Sequence, residues 1–313
     1  MPAPTKSDVF VHEALYYGDL DEYLAGTLPF VRDGLARDEA VLIAVPEPRL
    51  GLLRAALGSD AAGVRFIDMA VAGRNPNRII PWVLKAFVDE HHPRRVRIIG
   101  EPIFTGRTPD EIGPCVQHEA LINVAFAGVE TAILCPYDVS QLPSIVDDAE
   151  YTHPVVVERD GRRRPGDYRS PGDVVDLHNR PLPEPDTVEE ALVFDVPRLG
   201  QLRGLVHRHA SAAGLPPERV ADAQVAVSEV GTNALTHGGP GIATLRAWSD
   251  PARVVYEIRG AGMIEDPMAG RIVPPPDAPS GRGLLVANRL CDLIQTHTLL
   301  SGTVTRLHLR RPV

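Results

Sequence analysis

At 313 residues the chain is long enough for about two domains with separate cores, and 44% hydrophobic against 23% charged residues is the balance of a soluble globular protein. A net charge of -9 argues against direct nucleic-acid binding, which draws its affinity from basic side chains on phosphates, and favours a protein partner. No run approaches the roughly 18 apolar residues of a membrane span, the amino terminus lacks a basic segment leading into an apolar one, and Cys115, Cys135 and Cys291 are too few and too scattered for a disulfide framework, so a cytoplasmic location without membrane contact is expected.

From the amino terminus, short apolar runs at 9–11, 41–45, 64–69, 96–99 and 131–134 read as buried strands bounded by Pro, Gly and Asp. Amphipathic stretches at 19–36, 48–57, 77–90, 108–127 and 140–150 read as helices between them, the first kinked at Pro29. This succession predicts an α/β fold, a mostly parallel sheet with helices on both faces, whose ligands bind outside the carboxyl ends of the strands. Polar residues gather at those ends: His12 and Glu13, Asp68, Glu101, and Cys135-Pro136-Tyr137-Asp138. His118, Glu119 and Asn123 follow on the long helix before the fifth strand, and His153 closes the region. Two readings stand side by side. His12, Glu101, His118, Glu119, Tyr137, Asp138 and His153 line a pocket for a small-molecule signal, or they are the turn formers and caps common after strands. No Gly-x-x-x-x-Gly-Lys-Ser/Thr loop occurs, so a P-loop ATPase is not supported. A zinc set of Cys115, His118, Cys135 and His153 can be drawn, but its Cys-x-x-His pair lacks a matching second pair.

His12-Glu13-Ala14-Leu15-Tyr16-Tyr17, Gly73-Arg74-Asn75-Pro76, Gly100-Glu101-Pro102-Ile103, His118 to Asn123 and Cys135 to Asp138 together resemble the MEDS sensory domain. The resemblance covers about residues 8–157. It implies a RecA-like fold and a sensing role for a domain spanning 1–157.

Residues 158–190 shift in composition: Arg162-Arg163-Arg164-Pro165-Gly166 and Pro181-Leu182-Pro183-Glu184-Pro185 predict an extended linker with a solvated charge run. The second domain, 191–313, opens with an edge strand at 192–196 and a helix at 198–213. In the next helix Val220, Ala223, Val227, Val230 and Ala234 recur at steps of three and four, marking a buried stripe that Gly238-Gly239-Pro240-Gly241 ends. Glu229, Asn233 and His237 stand four apart on the open side. An aligned Glu and Asn suit phosphate chemistry, since an amide oxygen can hold Mg²⁺ beside phosphates while a carboxylate accepts a hydroxyl proton; a polar face turned to water is the plainer alternative. Strands at 242–248 and 253–259 form a hairpin, the Pro-rich stretch 263–280 reads as a lid, and a helix from Gly283 with strands at 293–298 and 303–310 completes the order. His207 and His209 read as a surface and a packed histidine, and without a dimerising hairpin the chain does not fit a histidine kinase.

Glu229-Val230-Gly231-Thr232-Asn233-Ala234, Arg259-Gly260-Ala261-Gly262 and Ser280-Gly281-Arg282-Gly283-Leu284 resemble, in order, the N box and two glycine boxes of the GHKL ATPases, and within them the bacterial anti-sigma factor serine kinases. The resemblance covers about residues 190–313 and implies an α/β sandwich that binds ATP and Mg²⁺. In its terms Glu229 is the general base and Asn233 the Mg²⁺ ligand, while His237, Gly260, Gly262, Gly281, Arg282, Gly283 and Leu284 contact the nucleotide. It further implies transcription regulation, stress response included, by partner switching: a sigma factor is sequestered, and a Ser or Thr of an anti-anti-sigma (STAS) protein is phosphorylated. A second copy of the chain is an allowed partner. One position departs from the pattern, because Gly260 stands where the family has the Asp that accepts a hydrogen bond from adenine. Losing such a bond costs about 1.5–3 kcal/mol, so Glu257, Glu265 or Asp266 must substitute, or the domain is a nucleotide-independent binding module.

Overall fold

The computed structural model describes residues 10–237, 241–275, 277–278 and 281–312. Val9, Gly238, Gly239, Pro240, Pro276, Pro279 and Ser280, used in the sequence reading, lie outside these residues. The chain divides into two units, Met1–His178 and Asn179–Val313.

The first unit runs β1 (Phe10–Tyr17), α1 (Leu20–Ala36), β2 (Ala40–Val45), α2 (Arg49–Leu57), β3 (Val64–Asp68), α3 (Met69–Ala72), α4 (Lys85–His91), β4 (Val96–Gly100), α5 (Pro109–Ala125), β5 (Thr131–Asp138), α6 (Val146–Thr152), β6 (Val155–Glu158), β7 (Gly161–Arg163) and α7 (Pro171–Leu177). The sheet order is β3-β2-β4-β5-β1-β6-β7, and every pair is parallel except β6 with β7. β2 and β4 are buried along their whole length, which explains their unbroken apolar runs. α1 starts where the Asp19 carboxylate accepts from the Glu22 backbone N–H, and α5 where Thr108 and Glu111 form a capping box. α1 continues through Pro29. Leu15, Tyr17, Val41, Ile43 and Leu134 turn to one face of the sheet and pack with Tyr23, Phe30 and Val31 of α1 and Leu50 and Leu53 of α2.

Two expectations change here. β1 and β5 pair along eight residues from Phe10 with Thr131 to Tyr17 with Asp138, so His12, Glu13 and the Cys135–Asp138 stretch lie inside strands, not after them. Their polar groups interrupt the apolar pattern but are buried in the fold, which is why periodicity ended both strands early. The stretch 158–190, expected as an extended linker, carries regular structure: β7 pairs with β6, and α7 packs on α5. Arg162 pairs with Glu13, and Arg163 with Glu150 and Glu158, so two of the three arginines are engaged within this unit.

The second unit runs β8 (Glu190–Phe194), α8 (Leu199–Ala212), α9 (Pro217–Thr236), β9 (Ala243–Ser249), β10 (Arg253–Gly260), α10 (Gly283–Leu290), β11 (Leu293–Leu299) and β12 (Gly302–Arg310). Its antiparallel sheet has the order β11-β12-β10-β9-β8. Alternation sends Val254, Tyr256 and Ile258 of β10 to the core with Leu202, Val206, Val220, Val227 and Ala287 from the three helices. Helices on one face of an antiparallel sheet make the α/β sandwich. His209 is packed there, its ring nitrogens 3.2 Å from the Tyr256 hydroxyl and 2.9 Å from Glu189.

Candidate functional site

In the second unit three elements converge. α9 buries Val220, Ala223, Val227 and Val230, which leaves Glu229 and Asn233 half-buried along the edge of that stripe and His237 exposed at the helix end. The end of β10 approaches α9 so closely that a Cβ at Gly262 would lie 1.6 Å from the His237 carbonyl oxygen, so only glycine fits there. From the other side comes the start of α10: a Cβ at Gly283 would lie 2.6 Å from Glu229 Oε2 and 3.5 Å from Asn233 Nδ2. Gly281, with φ at +96°, makes the turn into that helix.

Between these contacts lies a cavity of about 640 Å³, the size of a cofactor pocket. Asn233, His237, Gly260, Gly262, Gly281 and Leu284 line it, while Glu229 and Gly283 meet beside Asn233. Arg282 is not among the lining residues; its guanidinium donates to the carbonyl oxygens of Pro275 and Ala278, each at 2.7 Å, and so holds the Pro-rich segment. That segment supplies much of the wall through Met263, Ile264, Met268 and Ile272, and the Asn288 amide fastens it by donating to the Gly270 carbonyl at 3.0 Å. Thr303 and Thr305 of β12 also line the cavity and were missed by the sequence reading. Pairing Thr303 with Gly260 and Thr305 with Ile258 puts both on the cavity face, a register that strand alternation could have suggested.

The polar end of this cavity fits a Mg²⁺-triphosphate: a carboxylate and an amide stand beside glycines at a helix amino terminus, where backbone N–H groups and the helix dipole favour anions. The other end offers different chemistry from the family pattern. Gly260 presents no carboxylate, and a Cβ there would lie 2.7 Å from Ala234 Cβ and 3.0 Å from the Ala234 carbonyl oxygen. Glu257, one expected substitute, is excluded because alternation points it to the opposite face, fully buried among Arg246, Arg259 and Arg306. Burial opposes its ionisation, yet the three arginines hold its carboxyl below the usual range. Glu265 and Asp266 do line the cavity, and Asp266 Oδ1 already accepts from the Met268 backbone N–H at 2.8 Å.

In the first unit the seven expected pocket residues do not form one site. Glu101 and Asp138 meet at the carboxyl ends of the strands, on the α1 and α2 face, joined by a residue the sequence reading missed. Arg49 donates to both carboxylates, to Asp138 Oδ2 at 2.9 Å, and its guanidinium lies 5.0 Å from the Tyr17 ring and 5.5 Å from the Tyr23 ring. It directly follows Pro46-Glu47-Pro48 at the end of β2, so the strand-end rule could have found it. Burial pushes the Glu101 carboxyl up to about 8, against the pull of Arg49. A cavity of about 450 Å³ opens beside Tyr17, Arg49, Phe104 and Asp138.

His12, Glu119, Tyr137 and His153 lie instead on the α5 face, together with Cys135. His12 Nε2 is 3.3 Å and His153 Nε2 3.5 Å from Glu119 Oε2. Burial lowers His12 to about 4 and drives the Cys135 thiol well up. His118 is buried on α5 and is not one of the His12, Glu119, Cys135 and His153 group, and Cys115 donates its thiol to the Pro102 carbonyl. The zinc set drawn from spacing is therefore not assembled.

Among known families, residues 11–154 match the MEDS domain, described as the methanogen/methylotroph, DcmR sensory domain, and residues 192–310 match the histidine kinase-like ATPase domain. No curated protein matches the chain. Among solved structures, the RsbU and RsbW domains of Rv1364c from Mycobacterium tuberculosis are similar at 18% identity and a TM-score of 0.30, over 45% of this chain and 42% of that one. The chain thus spans less than half the length of that structure. No helix among the described residues is long and apolar enough to cross a membrane.

Proposed function

We propose that this chain, which joins a MEDS sensory domain to a histidine kinase-like ATPase domain, is a partner-switching regulator that sequesters a sigma factor and phosphorylates a Ser or Thr of an anti-anti-sigma protein. The observation that carries the reading is the meeting of Glu229 with Gly283 beside Asn233 at the polar end of the 640 Å³ cavity. ATP with Mg²⁺ would supply the phosphoryl group there. Asn233 holds the metal end, Gly281 and Gly283 leave room for phosphate oxygens at the start of α10, and Glu229 accepts the hydroxyl proton of the protein substrate. The Pro-rich wall, tied down by Arg282 and Asn288, shields these groups from water. The first unit receives the signal, with Arg49, Glu101 and Asp138 at the strand ends as its receptor.

A second reading has its own observation. Gly260 offers neither a carboxylate nor space for one against Ala234, and a domain that keeps the fold while binding partners without nucleotide would tolerate that. Calorimetry with ATP, with and without Mg²⁺, separates the two. Weak, Mg²⁺-dependent binding that Asn233→Ala removes is expected; no binding at millimolar ATP favours the nucleotide-independent module. For the kinase step, Glu229→Gln should lose phosphoryl transfer to the antagonist while still binding the sigma factor, and a folded variant that loses both would make Glu229 a partner-binding residue.

A further inference from the structure

The four side chains that meet on the α5 face have a geometry that hydrogen bonding among themselves does not explain. His12 comes from β1, Cys135 from β5, Glu119 from α5, and His153 follows α6. All four are buried, and one ligand atom from each lies within 4.8 Å of the others. Four of these distances are His12 Nε2 to Glu119 Oε2 at 3.3 Å, Cys135 Sγ to Glu119 Oε2 at 3.3 Å, Cys135 Sγ to His12 Nε2 at 3.5 Å and His153 Nε2 to Glu119 Oε2 at 3.5 Å. A tetrahedron around zinc, with ordinary N, O and S bond lengths, has edges of about 3.3–3.6 Å.

The surrounding hydrogen bonds fix what faces inward. Asn123 donates its amide to the Thr152 carbonyl at 2.8 Å, which leaves its Oδ1 to accept from His12 Nδ1 at 3.1 Å. His153 Nδ1 donates to the Ala149 carbonyl at 2.9 Å. With both protons held at Nδ1, each histidine turns an Nε2 lone pair towards the same carboxylate oxygen. His153 Nε2 and Glu119 Oε1 are buried with no hydrogen-bond partner among the described residues. Two lone pairs and a carboxylate thus converge with a single proton, that of the Cys135 thiol, to share among them. Such orienting contacts from Asn123 and a backbone carbonyl are the usual support of metal-binding histidines.

We propose that His12, Glu119, Cys135 and His153 form a four-ligand site for a divalent transition metal ion of borderline softness, zinc in the first instance. Two imidazole nitrogens, a thiolate and one carboxylate oxygen suit zinc and its neighbours and do not suit Mg²⁺ or Ca²⁺, which take oxygen sets. Binding forms four metal–ligand bonds and breaks the Cys135 S–H bond, the proton leaving to solvent. A dication with one thiolate and one carboxylate is neutral as a whole, which a fully buried site requires. A cavity of about 820 Å³ bordered by Phe10, His12, Asn123 and Tyr168 lies beside the site.

The test uses the full chain, stripped with a chelator and titrated with ZnCl₂ or CoCl₂. The expected result is one ion per chain, one proton released, and with cobalt a thiolate charge-transfer band beside four-coordinate d–d bands. Cys135→Ser should abolish the charge-transfer band, and Cys115→Ser should keep it. X-ray absorption at the zinc edge of the unaltered protein should show one sulfur and three lighter neighbours, a measurement that does not depend on any variant folding. Absence of stoichiometric binding, a shell without sulfur, or a charge-transfer band that survives Cys135→Ser overturns the proposal.

Discussion

Replacing Gly283 with Ala tests whether the meeting of α10 with α9 positions Glu229 for its proposed role as the base. A methyl at 283 would lie 2.6 Å from Glu229 Oε2, whereas an ordinary carbon–oxygen contact is about 3.4 Å, so the carboxylate must retreat by about 0.8 Å. The yielding atom is the end of a flexible, half-buried side chain, and Ala favours a helix over Gly by up to about 1 kcal/mol, so stability should hold or rise slightly. A displacement of that size at a catalytic group can cost about 100-fold in rate. Expected, then, is an unchanged melting temperature with phosphoryl transfer to the antagonist reduced by roughly ten- to hundredfold. A methyl could also obstruct phosphate directly, and Mg²⁺-ATP affinity measured by calorimetry separates the causes: in a Glu229→Ala background the collision is gone, so Gly283→Ala should not weaken binding further. Weaker binding caused by Gly283→Ala in that background, or unaltered transfer in the single variant, would refute the positioning argument.

Gly260→Asp restores the family's acidic residue, but its Cβ would meet Ala234 Cβ at 2.7 Å, so we expect a loss of about 1–3 kcal/mol in thermal or urea unfolding with no gain in ATP affinity, partly relieved by Ala234→Gly; tighter ATP binding at unchanged stability would show that the adenine contact fits after all. Glu101, whose carboxyl is raised to about 8 chiefly by burial, binds its proton more tightly in the folded state than in the unfolded chain. Its contribution is therefore fully present below the ordinary carboxylate range and is lost as pH rises through about 8, on the order of a few kcal/mol in all. Urea unfolding followed between pH 4.5 and 8 should show this decline, and Glu101→Gln should flatten it; an identical slope in the variant would place the dependence elsewhere.

What the sequence made legible follows from what periodicity can encode. The succession of elements in the second unit is spelled by apolar spacing and glycine placement, because both record burial and backbone approach directly: Val220 to Val230 give the buried stripe, and Gly262 marks a carbonyl that leaves no room for a side chain. The first unit was legible as an alternation of strands and helices, but β1 and β5 were cut short because His12, Cys135 and Tyr137 break the apolar run while remaining inside it. Spacing along the chain also could not divide the polar residues of that unit between two faces. Successive side chains on one strand point to opposite sides, so Tyr137 and Asp138, adjacent in sequence, belong to different groups, one beside His153 and the other on Arg49. The same property brings together residues far apart, such as His12 and Cys135, and makes Cys115 and His118 irrelevant to the cluster their spacing suggested. Which side chains can act together is thus decided by the face each strand presents and by the hydrogen bonds that fix each ring, and neither is written in the interval between two residues.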